Sequence, residues 1–217
     1  MKIDEILLVN KENYLEKDYI PSDLVIINEP TGEKVDSKYK NMLTEEVYQS
    51  FKEMQQAALQ SGFEIFVDSS YRSYEYQETV FQKNVDEEGL EYAQRYCALP
   101  GSSEHQTGLA FDVIPRREGI MIEDFEATDP EIVWCIENSH KYGFILRYPK
   151  GKENITGYNF EPWHYRYVGK EISEYMHDNN IETLEELIYK NDYNKRRWKH
   201  VYNCKIKKSK WRKDWNQ

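Results

Sequence analysis

Two segments of the chain combine histidine and carboxylate side chains in a pattern typical of a metal site. The first reads Ser-Glu-His-Gln-Thr-Gly-Leu-Ala-Phe-Asp and contains His105 and Asp112. The second reads Glu-Pro-Trp-His-Tyr-Arg, with Glu161 three residues before His164. Two histidines and one carboxylate can bind Zn²⁺ and leave a fourth position for water, as in catalytic zinc sites. The residue types therefore predict His105, Asp112 and His164 as zinc ligands and Glu161 as a general base.

The segments around these side chains must bring them together. Apolar and polar residues alternate at the end of the first segment, which predicts a strand with Asp112 on the same side as Ala110. Pro162 disfavours helical geometry at Glu161, so the second segment is predicted to be extended or twisted rather than helical. The sequence leaves open how Glu161 and His164 then converge. Either histidine taken alone would also fit a structural role.

Periodicity and capping signals predict a mixture of helices and strands without regular βαβ alternation. This mixture favours an α+β fold, with a central antiparallel β-sheet and flanking helices in a single domain. Predicted helices begin at Thr44, Ser73, Leu90, Asp129 and Thr183, and predicted strands cover residues 6–9, 24–27, 63–67, 110–114 and 144–147, with a loop over 115–128.

Charge is distributed unevenly along the 217 residues. Residues 1–189 carry 18 Lys and Arg against 37 Asp and Glu, whereas residues 190–217 carry 11 against 2. The acidic body predicts no nucleic-acid partner. We therefore predict one domain over residues 1–190 and a basic, aromatic-containing extension over 191–217. That extension fits either a solvated segment packed on the body or one that docks to an anionic surface.

The cysteines and the N-terminus bear on the cellular compartment. Cys97, Cys135 and Cys204 are odd in number and widely spaced, which argues against a disulfide framework or a thiolate zinc site. The first residues lack the apolar run of a signal peptide, and no stretch approaches the ~20 apolar residues of a membrane span. These features predict a cytoplasmic protein, although a chain trimmed of an export signal for the cell surface would look the same.

Three longer stretches resemble the VanY and VanXY-type D-Ala-D-Ala carboxypeptidases. They cover residues 98–112, residues 142–149 running on to Thr156-Gly157, and residues 161–169. The wider group includes VanX dipeptidases, L,D-carboxypeptidases of tetrapeptide stems and, at a distance, the hedgehog signalling domain. The resemblance implies a zinc-peptidase fold of this type from about residue 6 to residue 190. It implies the same zinc ligands and the same base.

The resemblance also implies roles for residues that spacing does not single out. Arg72 would polarise the scissile carbonyl and stabilise the oxyanion, and Gln77 and Ser103 would bind the terminal D-alanine. Trp163 would form a wall of the substrate site, although a core role fits it equally well. Without the resemblance, Arg72 fits a surface charge, Gln77 a solvated helix residue and Ser103 a turn residue.

Three functions are compatible with this set of residues. The first is a zinc D,D-carboxypeptidase that removes the terminal D-Ala of peptidoglycan precursor stems, and also cleaves D-Ala-D-Ala. The second is an L,D-carboxypeptidase acting on tetrapeptide stems. The third is a catalytically silent, zinc-bearing domain that binds the cell wall. The complete set of base, ligands and Arg72 argues against this third function, because a binding domain does not need it. The sequence decides neither the oligomeric state nor a role in antibiotic resistance as opposed to wall turnover.

Overall fold

The computed structural model describes residues 3–27, 41–115 and 126–190. At its centre lies a four-stranded antiparallel sheet in the order β3-β4-β6-β5, and β1 and β2 form a separate antiparallel pair. The predicted α+β class with a central antiparallel sheet is confirmed. The strands are β1 (Leu24–Ile26), β2 (Met42–Thr44), β3 (Ile65–Ser69), β4 (Ala110–Pro115), β5 (Phe144–Leu146) and β6 (His164–Tyr167).

Helices flank the sheet, and those predicted from Ser73 and Thr183 begin at the expected caps. The Ser73 hydroxyl accepts the Tyr76 N–H at 3.1 Å, and Thr183 and Glu186 exchange two side chain to backbone hydrogen bonds as a capping box. No helix in the described ranges has the length and hydrophobicity that a membrane crossing requires. The helices are α1 (Glu45–Gln60), α2 (Tyr74–Glu88), α3 (Leu90–Tyr96), α4 (Pro130–Asn138), α5 (Glu153–Thr156) and α6 (Lys170–Asp178), with a further helical stretch at 184–190 and 3₁₀ turns at Ile3–Glu5, Glu104–Thr107 and Ser139–Tyr142.

The central sheet has one apolar face and one polar face because side chains alternate along its strands. Phe111 of β4 and Tyr165 of β6 are register partners, and both belong to the main hydrophobic core, which also contains residues of α1 and α4. The next register pair, Asp112 and His164, points to the opposite face. Alternation therefore buries one half of each strand in the core and presents the other half to the polar side.

A second hydrophobic cluster covers the β5 edge of the sheet. Ile145 packs there with α6 and the helical residues 184–190, and the N-terminal arm adds Ile6 and Leu8. The predicted strand over residues 6–9 is wrong, because these residues have no regular secondary structure. Their apolar side chains pack on this cluster, and the Leu7 carbonyl accepts a hydrogen bond from an arginine side chain rather than from a neighbouring strand.

The sequence analysis did not predict the helix α6 or the strand β2, whereas the bounds of the predicted elements differ little. The strand expected at 63–67 lies at Ile65–Ser69, because the Phe63 N–H donates to the Ala58 carbonyl and so still belongs to the end of α1. Most of the predicted loop over 115–128, and the extension over 191–217, lie outside the described residues.

Candidate active site

The three predicted ligands converge on the polar face of the sheet. One nitrogen or oxygen atom from each of His105, Asp112 and His164 lies within 4.8 Å of the others. Asp112 Oδ1 is 3.1 Å from His164 Nδ1, and Asp112 Oδ2 is 3.4 Å from His105 Nε2. The β4–β6 pairing brings Asp112 opposite His164, while the 3₁₀ turn before β4 carries His105.

The donor set fits a metal ion. All three side chains are buried, and Asp112 Oδ1 has no hydrogen-bond partner among the described residues although a histidine nitrogen lies 3.1 Å away. Buried polar atoms are normally paired, so an unpaired carboxylate oxygen beside a histidine nitrogen is what a shared cation would explain. The other nitrogen of His105, Nδ1, donates to the Ser70 carbonyl at 2.8 Å, which leaves Nε2 as the ligand atom.

A glycine shapes the connection between His105 and Asp112. Gly108 ends the 3₁₀ turn in the left-handed region, with φ of 65°. A Cβ atom at this position would lie 2.8 Å from Leu24 Cδ2. The motif therefore requires glycine here both for its backbone conformation and for the close approach of Leu24.

Glu161 reaches the ligands through a turn rather than a helix. The His164 N–H donates to the Glu161 carbonyl at 3.3 Å, and β6 begins at His164. The prediction that Pro162 prevents a helical arrangement is confirmed. This turn places Glu161 Oε2 3.7 Å from His164 Nδ1, which answers how base and ligand converge.

Burial and neighbouring charges separate the proton affinities of these groups in the metal-free protein. Burial raises the pKa of Glu161 to about 7, against the opposing effect of His164. Burial and then Arg72 lower the pKa of His105 to about 4. Burial would lower the pKa of His164 too, but the neighbouring carboxylates of Asp112 and Glu104 outweigh it and raise this pKa to about 9. At neutral pH His105 is ready to bind a metal, whereas His164 must first release a proton.

Arg72 lies beside the ligands and is largely buried. Its Nε donates to Ser69 Oγ at 2.8 Å, and its Nη2 is 3.3 Å from Asp112 Oδ2. The guanidinium is thus held by the end of β3 next to the predicted metal ligands, where a positive charge can meet a developing oxyanion. A surface role for Arg72 is inconsistent with this placement.

Gln77, Ser103 and Trp163 also face the site. Gln77 is buried in α2, where its amide nitrogen donates to the Ala98 carbonyl at 2.8 Å and its Oε1 has no hydrogen-bond partner among the described residues. Ser103 is buried just before the 3₁₀ turn, and its hydroxyl does not cap that turn. Trp163 is partly exposed in the turn that carries Glu161.

All eight predicted site residues line one cavity of about 360 Å³. Its lining also includes residues that the sequence did not single out, among them Glu104, Tyr148 and Tyr158. Burial raises the pKa of Tyr158 to about 12, so its hydroxyl stays protonated and can donate. Glu104 lies within the first motif, directly before His105, but this position alone does not indicate a function for it. The two tyrosines flank a loop without periodicity, so no sequence signal marks them.

The remaining histidines lie elsewhere. His140 and His177 stack on each other with ring centroids 3.7 Å apart, and neither lines the cavity. His200 lies outside the described residues. Cys97 and Cys135 are buried and form no disulfide with the described residues, and Cys97 lines the cavity.

Comparison with known proteins agrees with this geometry. The family model described as VanY, D-alanyl-D-alanine carboxypeptidase, matches residues 40–170. The chain belongs to this family. Similar VanY relatives include the carboxypeptidase YodJ of Bacillus subtilis (strain 168), 42% identical over 187 residues that make up 85% of this chain and 67% of YodJ. A D-alanyl-D-alanine carboxypeptidase of Enterococcus faecium is 36% identical over 85% of this chain, which spans only 57% of that enzyme's length.

Solved structures of the VanY group have the same fold. The LdcB LD-carboxypeptidase superposes with a TM-score of 0.74 at 41% identity, over 84% of each chain. A VanY D,D-pentapeptidase from a VanB-type resistance cassette, in complex with Zn(II), superposes with a TM-score of 0.63 at 32% identity, over 83% of this chain and 96% of that one. The predicted resemblance is confirmed, and so is the fold type that it implies.

Proposed function

We propose that this chain is a zinc-dependent D,D-carboxypeptidase that releases the terminal D-Ala from peptidoglycan precursor stem peptides and also cleaves the D-Ala-D-Ala dipeptide. The observation that carries the proposal is the convergence of His105, Asp112 and His164 within 4.8 Å, with the Glu161 carboxylate 3.7 Å from His164. Membership of the VanY family supports the reaction class.

Zinc is the metal that best suits this donor set. Two imidazoles and one carboxylate form a common catalytic zinc site, with a fourth position left open. The VanY pentapeptidase structure that resembles this chain is itself a Zn(II) complex. When bound, zinc supplies a Lewis acid and a water whose pKa is near 7.

The side chains of this chain then have separate roles. Glu161 accepts the proton of the attacking water and later donates it to the leaving amine nitrogen. Its raised pKa, about 7 in the metal-free protein, suits a group that must both take up and release a proton near neutral pH. Arg72 donates to the oxygen of the scissile carbonyl as negative charge develops on it.

Polar side chains that line the cavity beside the ligands suit the end of a short peptide. Ser103 offers a hydroxyl to the terminal carboxylate, and Tyr158 offers a phenolic O–H. Because the Gln77 amide nitrogen is already bonded to Ala98, its free Oε1 suits an N–H of the substrate rather than the carboxylate. Trp163, two residues after the base, also lines the cavity.

An L,D-carboxypeptidase is the second candidate. The specific observation in its favour is the likeness to the LdcB LD-carboxypeptidase, with a TM-score of 0.74. The same ligands, base and Arg72 would serve both reactions, since the two substrates differ in the configuration of the residue before the terminal D-Ala.

The test is D-Ala release from the dipeptide, tetrapeptide and pentapeptide, each with and without a chelator. We expect release from the pentapeptide and the dipeptide, lost on chelation and restored by zinc. Release from the tetrapeptide alone would support the L,D-carboxypeptidase instead. Absence of turnover with all three substrates would support the catalytically silent, wall-binding domain.

Replacing the base separates catalysis from metal binding. We expect Glu161→Ala to abolish D-Ala release while the protein still binds one zinc ion, because three ligands remain. Glu171→Ala, which truncates an exposed glutamate of α6, is the matched control and should retain activity. Full activity of Glu161→Ala would contradict the proposed role of the base. The cytoplasmic location and the docking role of the extension at 191–217 stay predictions.

A further inference from the structure

Four buried ionic side chains form a network directly behind the proposed metal site. Arg147 Nε and Arg166 Nη1 each donate to Glu104 Oε1 at 2.8 Å. On its other side, Arg147 makes two hydrogen bonds with Glu185, at 2.8 and 2.9 Å. All four side chains are at most 4% exposed. Two guanidinium groups therefore face two carboxylates in the interior.

Glu104 uses its two carboxylate oxygens differently. Oε1 accepts from both arginines, whereas the buried Oε2 has no hydrogen-bond partner among the described residues. Oε2 lies 3.8 Å from His164 Nε2, and that atom is likewise buried and without a hydrogen-bond partner in the described part of the chain. A carboxylate that served only as a counter-ion for the arginines would gain by sharing both oxygens with them. Glu104 instead keeps Oε2 turned towards His164.

The orientation of His164 explains why this oxygen matters. Its Nδ1 faces Asp112 at 3.1 Å and Glu161 at 3.7 Å, so Nδ1 is the nitrogen that a metal would share with Asp112. Binding through Nδ1 requires the tautomer with hydrogen on Nε2. His105 has the equivalent arrangement already complete, since its non-ligating nitrogen donates to the Ser70 carbonyl at 2.8 Å.

We propose that Glu104 is a positioning residue that accepts the Nε2–H of His164, and so holds this histidine in the tautomer and orientation that bind the metal through Nδ1. This inference rests on the proposed zinc site. A movement of about 1 Å brings Oε2 and Nε2 into the usual range for a charge-assisted hydrogen bond. The two arginines fix the carboxylate, so the bond reaches His164 from a rigid support.

Glu104→Gln tests the proposal with little change of shape. The two arginine donors hold the amide oxygen in the position of Oε1, which turns the amide NH₂ group towards His164. Nε2 must then accept, and the proton moves to Nδ1, where it blocks the metal. We expect the zinc affinity of the full chain to fall roughly 10–100-fold, as for other lost outer-shell partners of metal ligands. Competition with a chelating dye measures this affinity without substrate.

Glu185→Gln is the matched control. It removes the same charge from the same network, but on the side of Arg147 away from His164. We expect its zinc affinity to stay within about threefold of wild type, well short of the roughly tenfold or greater loss expected from a direct ligand partner. An equal loss in both variants, or no loss in Glu104→Gln, would overturn the proposal.

A measurement on the unaltered protein covers the case in which Glu104→Gln fails to fold. In the zinc-loaded chain, long-range ¹H–¹⁵N NMR should show His164 with its proton on Nε2, slowly exchanging and shifted downfield by the carboxylate. A rapidly exchanging Nε2–H, or a proton on Nδ1, would overturn the proposal. Failure of the wild-type chain to bind zinc would instead overturn the proposed function, so the two failures are distinguishable.

Discussion

The carboxylates of Asp112 and Glu161 have different pKa values because their surroundings in the cavity differ. Asp112 lies beside two histidines, and although burial opposes ionisation, His105 and His164 hold its pKa well below the usual range. Glu161 is 8% exposed, and the favourable charge of His164 does not offset its burial. Burial therefore raises the pKa of Glu161 to about 7. One carboxylate thus stays ionised as a ligand while the other can exchange a proton near neutral pH.

The raised pKa of Glu161 predicts a pH-dependent effect on stability in the metal-free protein. The folded state binds this proton more tightly than the unfolded state, so its stabilising effect is complete below about pH 4.5 and is lost as the pH rises through about 7. Glu161→Gln cannot ionise and should be more stable than wild type at pH 8, by up to about 3 kcal/mol. The difference should vanish near pH 4.

Urea unfolding with a chelator at both pH values measures this difference. Glu171→Gln, at an exposed position of α6, is the control for the loss of one glutamate charge outside the cavity. An equal gain in Glu161→Gln at pH 4 and pH 8 would mean that ionisation of Glu161 is not its cause.

At the scale of elements, the strand pairing positions the site. β4 and β6 are adjacent central strands, and their register places Asp112 opposite His164. The turn before β6 adds Glu161, and the 3₁₀ turn before β4 adds His105. Groups on paired strands keep their separation more rigidly than groups on loops, which suits a site that must hold its ligands in fixed geometry.

The connection into β5 offers a test of local packing. Gly143 has φ of 91°, and a Cβ atom there would lie 2.5 Å from the Tyr167 ring. Gly143→Ala should therefore destabilise the protein by about 2–5 kcal/mol, from the left-handed backbone and the overpacking together. Gly151 has φ of 83° but nothing within 4 Å of its Cβ position. Gly151→Ala should cost only the backbone part, about 1–2 kcal/mol, in the same thermal unfolding experiment. Equal costs would argue against the clash with Tyr167.

Elements with local signals were predictable and those with distant partners were not. α2 begins where Ser73 caps it, and α4 begins at Pro130, because both signals lie within one turn. The apolar run at residues 6–9 resembles a strand in isolation, yet it packs on α6 and the helical residues 184–190, about which local sequence carries no information. The order β3-β4-β6-β5 depends on pairings between remote segments and was not predicted.

The candidate site shows the same contrast between residues with and without a local sequence signal. The predicted ligands and base are recognisable from their residue types, whereas the roles expected for Arg72, Gln77 and Ser103 are implied only by the family resemblance. No sequence signal marks Glu104, because the role that we propose for it depends on Arg147 and Arg166, which are distant in sequence and converge on it only in the folded chain.

At the scale of the whole molecule, the polar network connects the site to both ends of the described structure. Asn10 of the N-terminal arm donates to Glu185 at 3.0 Å, and Arg166 donates to the Leu7 carbonyl at 2.7 Å. Glu185 lies in the helical stretch at 184–190. The structural unit around the site therefore extends beyond residues 40–170, which the family model matches.

Zinc should stabilise the whole domain, because a ligand that binds only the folded state shifts the unfolding equilibrium. At a free zinc concentration of 100 times Kd the gain is about 2.7 kcal/mol. We expect Tm to rise by several degrees when zinc is added to chelator-treated protein, as measured by differential scanning calorimetry. His105→Ala removes one ligand and should abolish most of the rise. A similar rise in the Tm of His105→Ala would mean that zinc binds at another position.

The β4–β6 register also has a kinetic consequence. Asp112 and His164 become neighbours only when two strands that are distant along the chain have paired, a step that closes a long loop and is slow in folding. The metal cannot be captured before that closure, so it contributes nothing to the barrier for refolding. It must, however, be released before the strands separate. We therefore expect zinc to slow unfolding in stopped-flow experiments while the refolding rate stays the same.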